Sequence, residues 1–324
     1  MTSKPKAPAL HPDTVALLEA ARAANAPPYE AMIVEQARET SGEFTAVGAF
    51  PALDVASVED RTIGEGASAF TARLYRPLHS AEAAAPAILY IHGGGWVVGS
   101  LDSHDSICRR LCDALHWPIV AIDYRLAPEH RFPAAVDDTF AAIRWLHAEA
   151  AALGIDPARI AVVGDSAGGN LAAVAAIAAR EGMVPPVAFQ GLVYPVTDLG
   201  GESEGYARVV EGMPVTGPTM RWFRDLYLGS PEDGQDWRAS PLRAASLADL
   251  PPALVVTMEH DPLCEEGRAY ARGLIDAGGE VTELHFSNHM HGLISMGALI
   301  RDAEALLQSL ITALRCRLAA VPAP

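Results

Sequence analysis

Gly164-Asp165-Ser166-Ala167-Gly168-Gly169 closes the apolar run Ile160-Ala161-Val162-Val163 and opens an alanine-rich stretch from Leu171 to Arg180. Strand, tight turn and helix follow one another, with a serine at the apex. Glycines on both sides let the backbone bend sharply enough to lift the Ser166 hydroxyl clear of a sheet, where a base can reach it. The pattern also describes an ordinary strand-to-helix turn, so other segments must decide between the two.

Upstream, Ala87-Ile88-Leu89-Tyr90-Ile91 reads as a buried strand and runs into His92-Gly93-Gly94-Gly95-Trp96. Three consecutive glycines leave backbone N–H groups unshielded. Donors already aimed at the oxygen that turns negative during acyl transfer are worth about 3 to 4 kcal/mol each, judged by removal. The N–H of Ala167, at the helix start behind Ser166, adds a further donor. A glycine loop can also cradle a phosphate, but neither Lys-Ser/Thr nor Gly-x-Gly-x-x-Gly spacing accompanies this one.

A serine nucleophile needs a base and a group to orient it, in the chain order serine, acid, histidine. Pro252 to Met258 reads as a buried strand ending in Glu259-His260-Asp261-Pro262-Leu263, and Val281 to Phe286 alternates like another, ending in Ser287-Asn288-His289-Met290-His291-Gly292. An open parallel sheet gathers such distant residues, because its ligand sites lie beyond the carboxyl ends of its strands.

These segments, with Asp123-Tyr124-Arg125-Leu126-Ala127-Pro128-Glu129-His130, Phe132-Pro133-Ala134-Ala135 and Tyr194-Pro195, make residues 75 to 315 similar to one family. The chain resembles the hormone-sensitive lipase group of α/β-hydrolases, the bacterial family IV carboxylesterases. The resemblance implies Ser166 as nucleophile, His291 as general base and acid, and Asp261 as its orienting carboxylate. It implies Gly94, Gly95 and Ala167 as oxyanion donors, ahead of Gly93. Leu293 departs from the phenylalanine that relatives often carry after the His-Gly pair, a change expected to alter pocket shape and not chemistry.

Several polar residues compete for these roles. His289 shares a face with His291 on an extended segment, yet two ligands do not make a zinc site, and a solvated or second-shell loop histidine is the expectation. His260 points away from Asp261, as strand neighbours do. His92 is expected to brace the glycine loop, and Asp198 is the rival carboxylate. His104, Cys108, Cys112 and His116 recur every four residues on a helix. Twelve residues of helix cover about 18 Å, so the outer pair cannot meet at one ion. The cysteines there read as small buried apolar residues, and neither metal nor cofactor is expected.

Apolar strands and helical runs alternate from about Ala87 to Ala319, which predicts βαβ units and a mainly parallel sheet flanked by helices, an α/β class. Helices are expected over Thr14 to Ala24, Tyr29 to Glu39, Ala134 to Ala152, Ala167 to Arg180, Glu265 to Asp276 and Leu293 to Arg317. Residues 46–198 and 249–324 form the expected α/β-hydrolase domain. Residues 1–45 and 199–248 fall outside the strand rhythm and match the positions where the resemblance puts a helical cap. Met213, Trp222 and Phe223 in that insertion, with Trp96, Tyr194, Leu263 and Leu293 beside the motifs, are candidates to line an apolar acyl pocket.

Half of the 324 residues are apolar, but no apolar run reaches the ~18 to 20 residues that span a bilayer. Met1-Thr2-Ser3-Lys4-Pro5-Lys6 leads into polar and proline residues and not into the apolar core of a signal peptide. With four cysteines in a long chain, the expectation is a soluble cytoplasmic protein with free thiols. A net charge of −16 disfavours nucleic acid and anionic membranes as partners. The Val281 to Phe286 strand could pair across a homodimer.

The expected activity is hydrolysis of short-to-medium acyl esters through a Ser-His-Asp triad and an acyl-enzyme. Amide hydrolysis of the aryl acylamidase or formamidase type uses the same groups, and a non-catalytic small-molecule receptor on this scaffold is a third reading.

Overall fold

All seven residues at 85–91 and all five at 189–193 are buried, as in strands covered on both faces. They lie in an eight-stranded sheet in a computed structural model that describes residues 8–25, 27–79, 82–209 and 211–319. Lys4 and Lys6 lie outside those residues.

The strands are β1 (Ser57–Ile63), β2 (Phe70–Arg76), β3 (Ala85–Ile91), β4 (Ile119–Asp123), β5 (Ile155–Asp165), β6 (Phe189–Val193), β7 (Ala253–His260) and β8 (Val281–Met290). Their order is β1-β2-β4-β3-β5-β6-β7-β8, with β8 at one edge. β2 runs antiparallel to β1 and β4, and every later pairing is parallel. The carboxyl ends of β3, β5, β6, β7 and β8 therefore open on the same side.

The helices are α1 (Pro12–Ala23), α2 (Val34–Gly48), α3 (Asp105–Leu115), α4 (Ala134–Leu153), α5 (Ala167–Arg180), α6 (Glu204–Arg208), α7 (Gly217–Tyr227), α8 (Cys264–Asp276) and α9 (Asp302–Leu318). Side chains alternate across β3: Leu89 and Ile91 join a core with α4, α5 and α8, while Ile88 and Tyr90 join another with α3 and α9. From Ala167 to Ala178 every residue of α5 is buried, which explains its lack of a polar face.

Two helix expectations need correction. The N-terminal pattern from Tyr29 gives only a single turn, Tyr29–Ala31, after Pro28; the helix starts at Val34 and continues to Gly48, nine residues past the expected end. The expected helix from Leu293 begins at Asp302. Gly292 is left-handed at φ 88°, Leu293–Ser295 makes one tight turn, and a Cβ on Gly297 would lie 2.0 Å from the Phe50 ring. That close approach holds the segment irregular, and helical periodicity cannot register it.

Candidate active site

Ser166 follows β5 directly, with φ 55° and ψ −117°, a conformation a non-glycine residue holds only when its surroundings dictate it. Both flanking glycines are required by backbone crossing and not by φ. A Cβ on Gly164 would sit 2.3 Å from the Gly168 carbonyl oxygen, and one on Gly168 would sit 1.9 Å from that of Ile91. The elbow is therefore clamped against the end of β3.

Asp261 follows β7 and His291 follows β8. His291 Nε2 lies 2.9 Å from Ser166 Oγ, and its Nδ1 lies 2.7 Å from Asp261 Oδ2. The second carboxylate oxygen, Oδ1, accepts the Leu263 N–H at 2.9 Å. Ser166 and His291 are each 7 % exposed and Asp261 is 0 %, so the serine and the imidazole meet the cavity and the carboxylate does not. The Tyr194 ring packs on the His291 imidazole, with centroids 4.5 Å apart.

Gly94 and Gly95 line a cavity of about 100 Å3 together with Ser166 and His291. Gly93 N–H donates to Asp165 Oδ1 at 3.1 Å, which commits it elsewhere. Ala167 is the first residue of α5, where backbone N–H groups lack an intrahelical acceptor. Tyr29, Phe44, Met220 and Phe223 contribute large apolar side chains to its wall. A larger cavity of about 390 Å3 shares Tyr29 and Phe44 with it and includes Met213.

The other pocket candidates do not line the cavity at Ser166. Trp96 is fully buried, its indole flat on the Tyr227 ring at 4.2 Å, and Trp222 stacks on Tyr29. Leu263 and Leu293 are packed in the two cores. Of the seven, Phe223 lines the cavity at Ser166.

The competing residues have other partners. Arg243 holds Asp198 through two hydrogen bonds, at 2.6 and 3.0 Å, away from His291. His260 Nε2 meets the Pro8 carbonyl. His92 Nδ1 lies 2.8 Å from the Gly93 carbonyl, and burial, with the adjacent His104, pulls its pKa down to about 4. His289 differs from the expectation of a solvated or second-shell loop residue. It is fully buried, with Nδ1 3.0 Å from Thr14 Oγ1 and Nε2 2.9 Å from Asp302 Oδ2, and it joins α1 to the start of α9. All four cysteines are free, and Cys108 and Cys112 are buried in α3, where burial pushes both thiols up.

Asp165 stands inside the serine elbow, and its role is invisible in the sequence because its partners come from β3, the glycine loop after it and the residue before α3. Its Oδ1 accepts from Gly93 N–H and from Tyr90 Oη, both at 3.1 Å, and lies 3.1 Å from His104 Nε2, off the line of a good hydrogen bond. Burial raises the carboxyl, but the charge and contact of His104 and the Tyr90 hydroxyl outweigh it and hold the pKa below its ordinary value.

A family model described as alpha/beta hydrolase fold matches residues 88–295. An ethyl acetate hydrolase of Pseudomonas putida is 40% identical over 314 residues, covering 94% of this chain and 98% of that protein. The carboxylic ester hydrolase LipN of Mycobacterium tuberculosis is 42% identical over 271 residues, 82% of this chain and 71% of its own length. The structure of a hyperthermophilic esterase from Pyrobaculum calidifontis superposes with a TM-score of 0.89 at 35% identity, covering 97% of this chain and 100% of that one. No helix among the described residues is long and apolar enough to cross a membrane. The chain therefore belongs to the α/β-hydrolase family, in the hormone-sensitive lipase group that its motifs resemble.

Proposed function

We propose that this carboxylic ester hydrolase cleaves short-to-medium acyl esters of small molecules through an acyl-enzyme on Ser166. The observation that carries the reading is the continuous relay from Ser166 Oγ to His291 Nε2 and from His291 Nδ1 to Asp261 Oδ2, at 2.9 and 2.7 Å. His291 takes the serine proton as Oγ attacks the ester carbonyl, and returns it to the departing alcohol oxygen. Asp261 fixes the imidazole tautomer and stabilises its protonated form without taking the proton itself. Water then repeats the attack on the acyl-enzyme. The N–H groups of Gly94, Gly95 and Ala167 take the oxyanion.

Residues 1–45 and 199–248 act as the cap in this reading. Tyr29 and Phe223 supply its apolar roof, and excluding water strengthens the donors beneath. The cavity of about 100 Å3 suits a short chain, with the adjoining one of about 390 Å3 open to the bulkier arm. Buried free thiols at Cys108, Cys112 and Cys264 fit a reducing, cytoplasmic setting.

The test is kcat/KM for nitrophenyl esters from acetyl to palmitoyl, run beside Ser166→Ala. A maximum at short acyl chains that vanishes in the folded variant supports the reading. Turnover indifferent to Ser166 overturns it.

A further inference from the structure

On the outer side of the loop that carries Asp261, three different ligand types converge. Glu259 lies near the end of β7, Cys264 is the first residue of α8, and His285 is in the middle of β8. One ligand atom from each lies within 4.8 Å of the other two. Glu259 and Cys264 are five residues apart and His285 lies 21 residues further on, a spacing that matches no short zinc motif.

One pair of these ligands is spaced as two corners of a tetrahedral zinc site are. Two ligands at the usual zinc distances of about 2.0–2.1 Å, at a tetrahedral angle, lie roughly 3.3 Å apart. His285 Nε2 and Glu259 Oε2 are 3.3 Å apart. The imidazole is braced from behind, with Nδ1 3.0 Å from Thr257 Oγ1. A hydroxyl both donates and accepts, so Thr257 can accept a hydrogen bond from Nδ1–H and leave the Nε2 lone pair facing the site, as metal-binding histidines require. Glu259 is oriented too: Arg208 Nη1 lies 3.6 Å from Oε1, leaving Oε2 to face His285, and Arg208 Nη2 donates to the Glu259 carbonyl at 3.0 Å.

The sulfur is buried, whereas the carboxylate and imidazole side chains are 19 % and 24 % exposed, so an ion enters from solvent and meets the thiol last. Around the three, Glu265 and Glu283 add negative charge, balanced by Arg208 and Arg268, which pair with them at 2.8 and 3.3 Å. The ion replaces one proton: the S–H bond of Cys264 breaks, the proton leaves to water, and the thiolate binds the metal.

We propose that Glu259, Cys264 and His285 bind one zinc-class divalent cation, with water as the fourth ligand. The ion would tie β7, α8 and β8 together next to Asp261, since Leu263 and Cys264 both donate backbone N–H groups to that residue. No step of ester hydrolysis passes through it.

The experiment is titration of the chelator-treated full chain with Cd2+, read by the ultraviolet thiolate-to-cadmium band, and with Zn2+, read by thermal midpoint. The expected result is one equivalent of Cd2+ bound, with a rise in midpoint on Zn2+. The band should be lost in Cys264→Ser and retained in Cys108→Ser and Cys316→Ser. Because Cys264 is buried, the partly exposed His285→Gln and Glu259→Gln serve as second variants, each expected to weaken Cd2+ binding at least tenfold. No band in the wild-type chain, a band that survives Cys264→Ser, or unchanged affinity in both second variants overturns the site.

Discussion

Arg38 on α2 holds both carboxylate oxygens of Glu129, at 2.9 and 2.7 Å, and the same guanidinium donates to the backbone carbonyls of Val97 and Ala127. One N-terminal side chain thus pins the loop after β4 and the glycine loop after β3. The Arg38 hydrogen bonds also hold the Glu129 pKa at about 2, against the opposing effect of burial. Half-exposed ion pairs contribute little stability, so the two carbonyl contacts matter more. Arg38→Ala is expected to cost about 1–2 kcal/mol in denaturant unfolding and to lower kcat/KM about tenfold by freeing the glycine loop. Arg38→Lys cannot reproduce the fork and should recover little. Unchanged kcat/KM in both variants would show that this anchor does not reach the loop.

Asp165 links the nucleophile turn to the glycine loop from beneath. Asp165→Ala leaves the buried Gly93 N–H and Tyr90 hydroxyl without their acceptor, and the expected destabilisation is about 3–5 kcal/mol. Its pKa is lower in the folded state. The carboxylate therefore contributes stability that is present above the unfolded value of about 3.9 and is lost as pH falls through the folded one. Asp165→Asn keeps an acceptor but loses the charge beside His104. Its unfolding free energy should fall short of wild type at pH 7, and the gap should narrow as pH drops below about 4. A gap that stays constant to the acid limit would mean the carboxyl is not held ionised.

What sequence disclosed and what it withheld separate along physical lines. The elbow, the glycine loop and the two loop ends carrying Asp261 and His291 are local: each is a short run whose glycines or apolar residues suit one backbone path. The burial of His289 is not legible locally, because its partners Thr14 and Asp302 come from the two ends of the chain. The cavity walls at Tyr29 and Phe44 are hidden from the sequence for the same reason. Nothing near either residue in sequence says that α2 folds across Ser166. Trp96 illustrates the converse. An aromatic beside a glycine loop looks like pocket lining, but the turn at φ 60° buries it against Tyr227.

Gly94 and Gly95 should respond differently to a methyl group. At φ 123°, a Cβ on Gly94 would lie 2.1 Å from the Val98 carbonyl oxygen, a backbone atom that cannot yield without moving the loop. Gly94→Ala is expected to lower kcat about 10²–10³-fold, the scale of losing one oxyanion donor. At Gly95 the Cβ would meet the Phe223 ring at 2.3 Å, with φ 58° costing about 1–2 kcal/mol for alanine. Part of that loss should return in Gly95→Ala/Phe223→Ala, and none should return when Phe223→Ala is combined with Gly94→Ala. Equal rescue at both positions in steady-state kinetics would contradict the difference.

Glu266 on α8 gives a pH signature of opposite sign to Asp165. Its Oε1 accepts the N–H groups of Thr197 and Asp198 at 2.8 and 3.3 Å, while the buried Oε2 has no hydrogen-bond partner among the described residues. Burial pushes the pKa well above the ordinary glutamate value, against the pull of those two N–H groups, so the neutral acid is the favoured folded form. Between the unfolded pKa of about 4.3 and the raised folded one, the native chain binds the extra proton, and stability falls as pH rises through that interval. Glu266→Gln keeps an oxygen for both N–H groups and cannot ionise. Its stability relative to wild type should be constant below pH ~4, should climb as pH rises above that, and should level off past the folded pKa. Any fixed cost of placing an amide nitrogen at the Oε2 position shifts the whole curve without changing its slope. Thermal midpoints of the two proteins measured across pH 4 to 9 check this, and parallel curves would mean that Glu266 is ionised throughout.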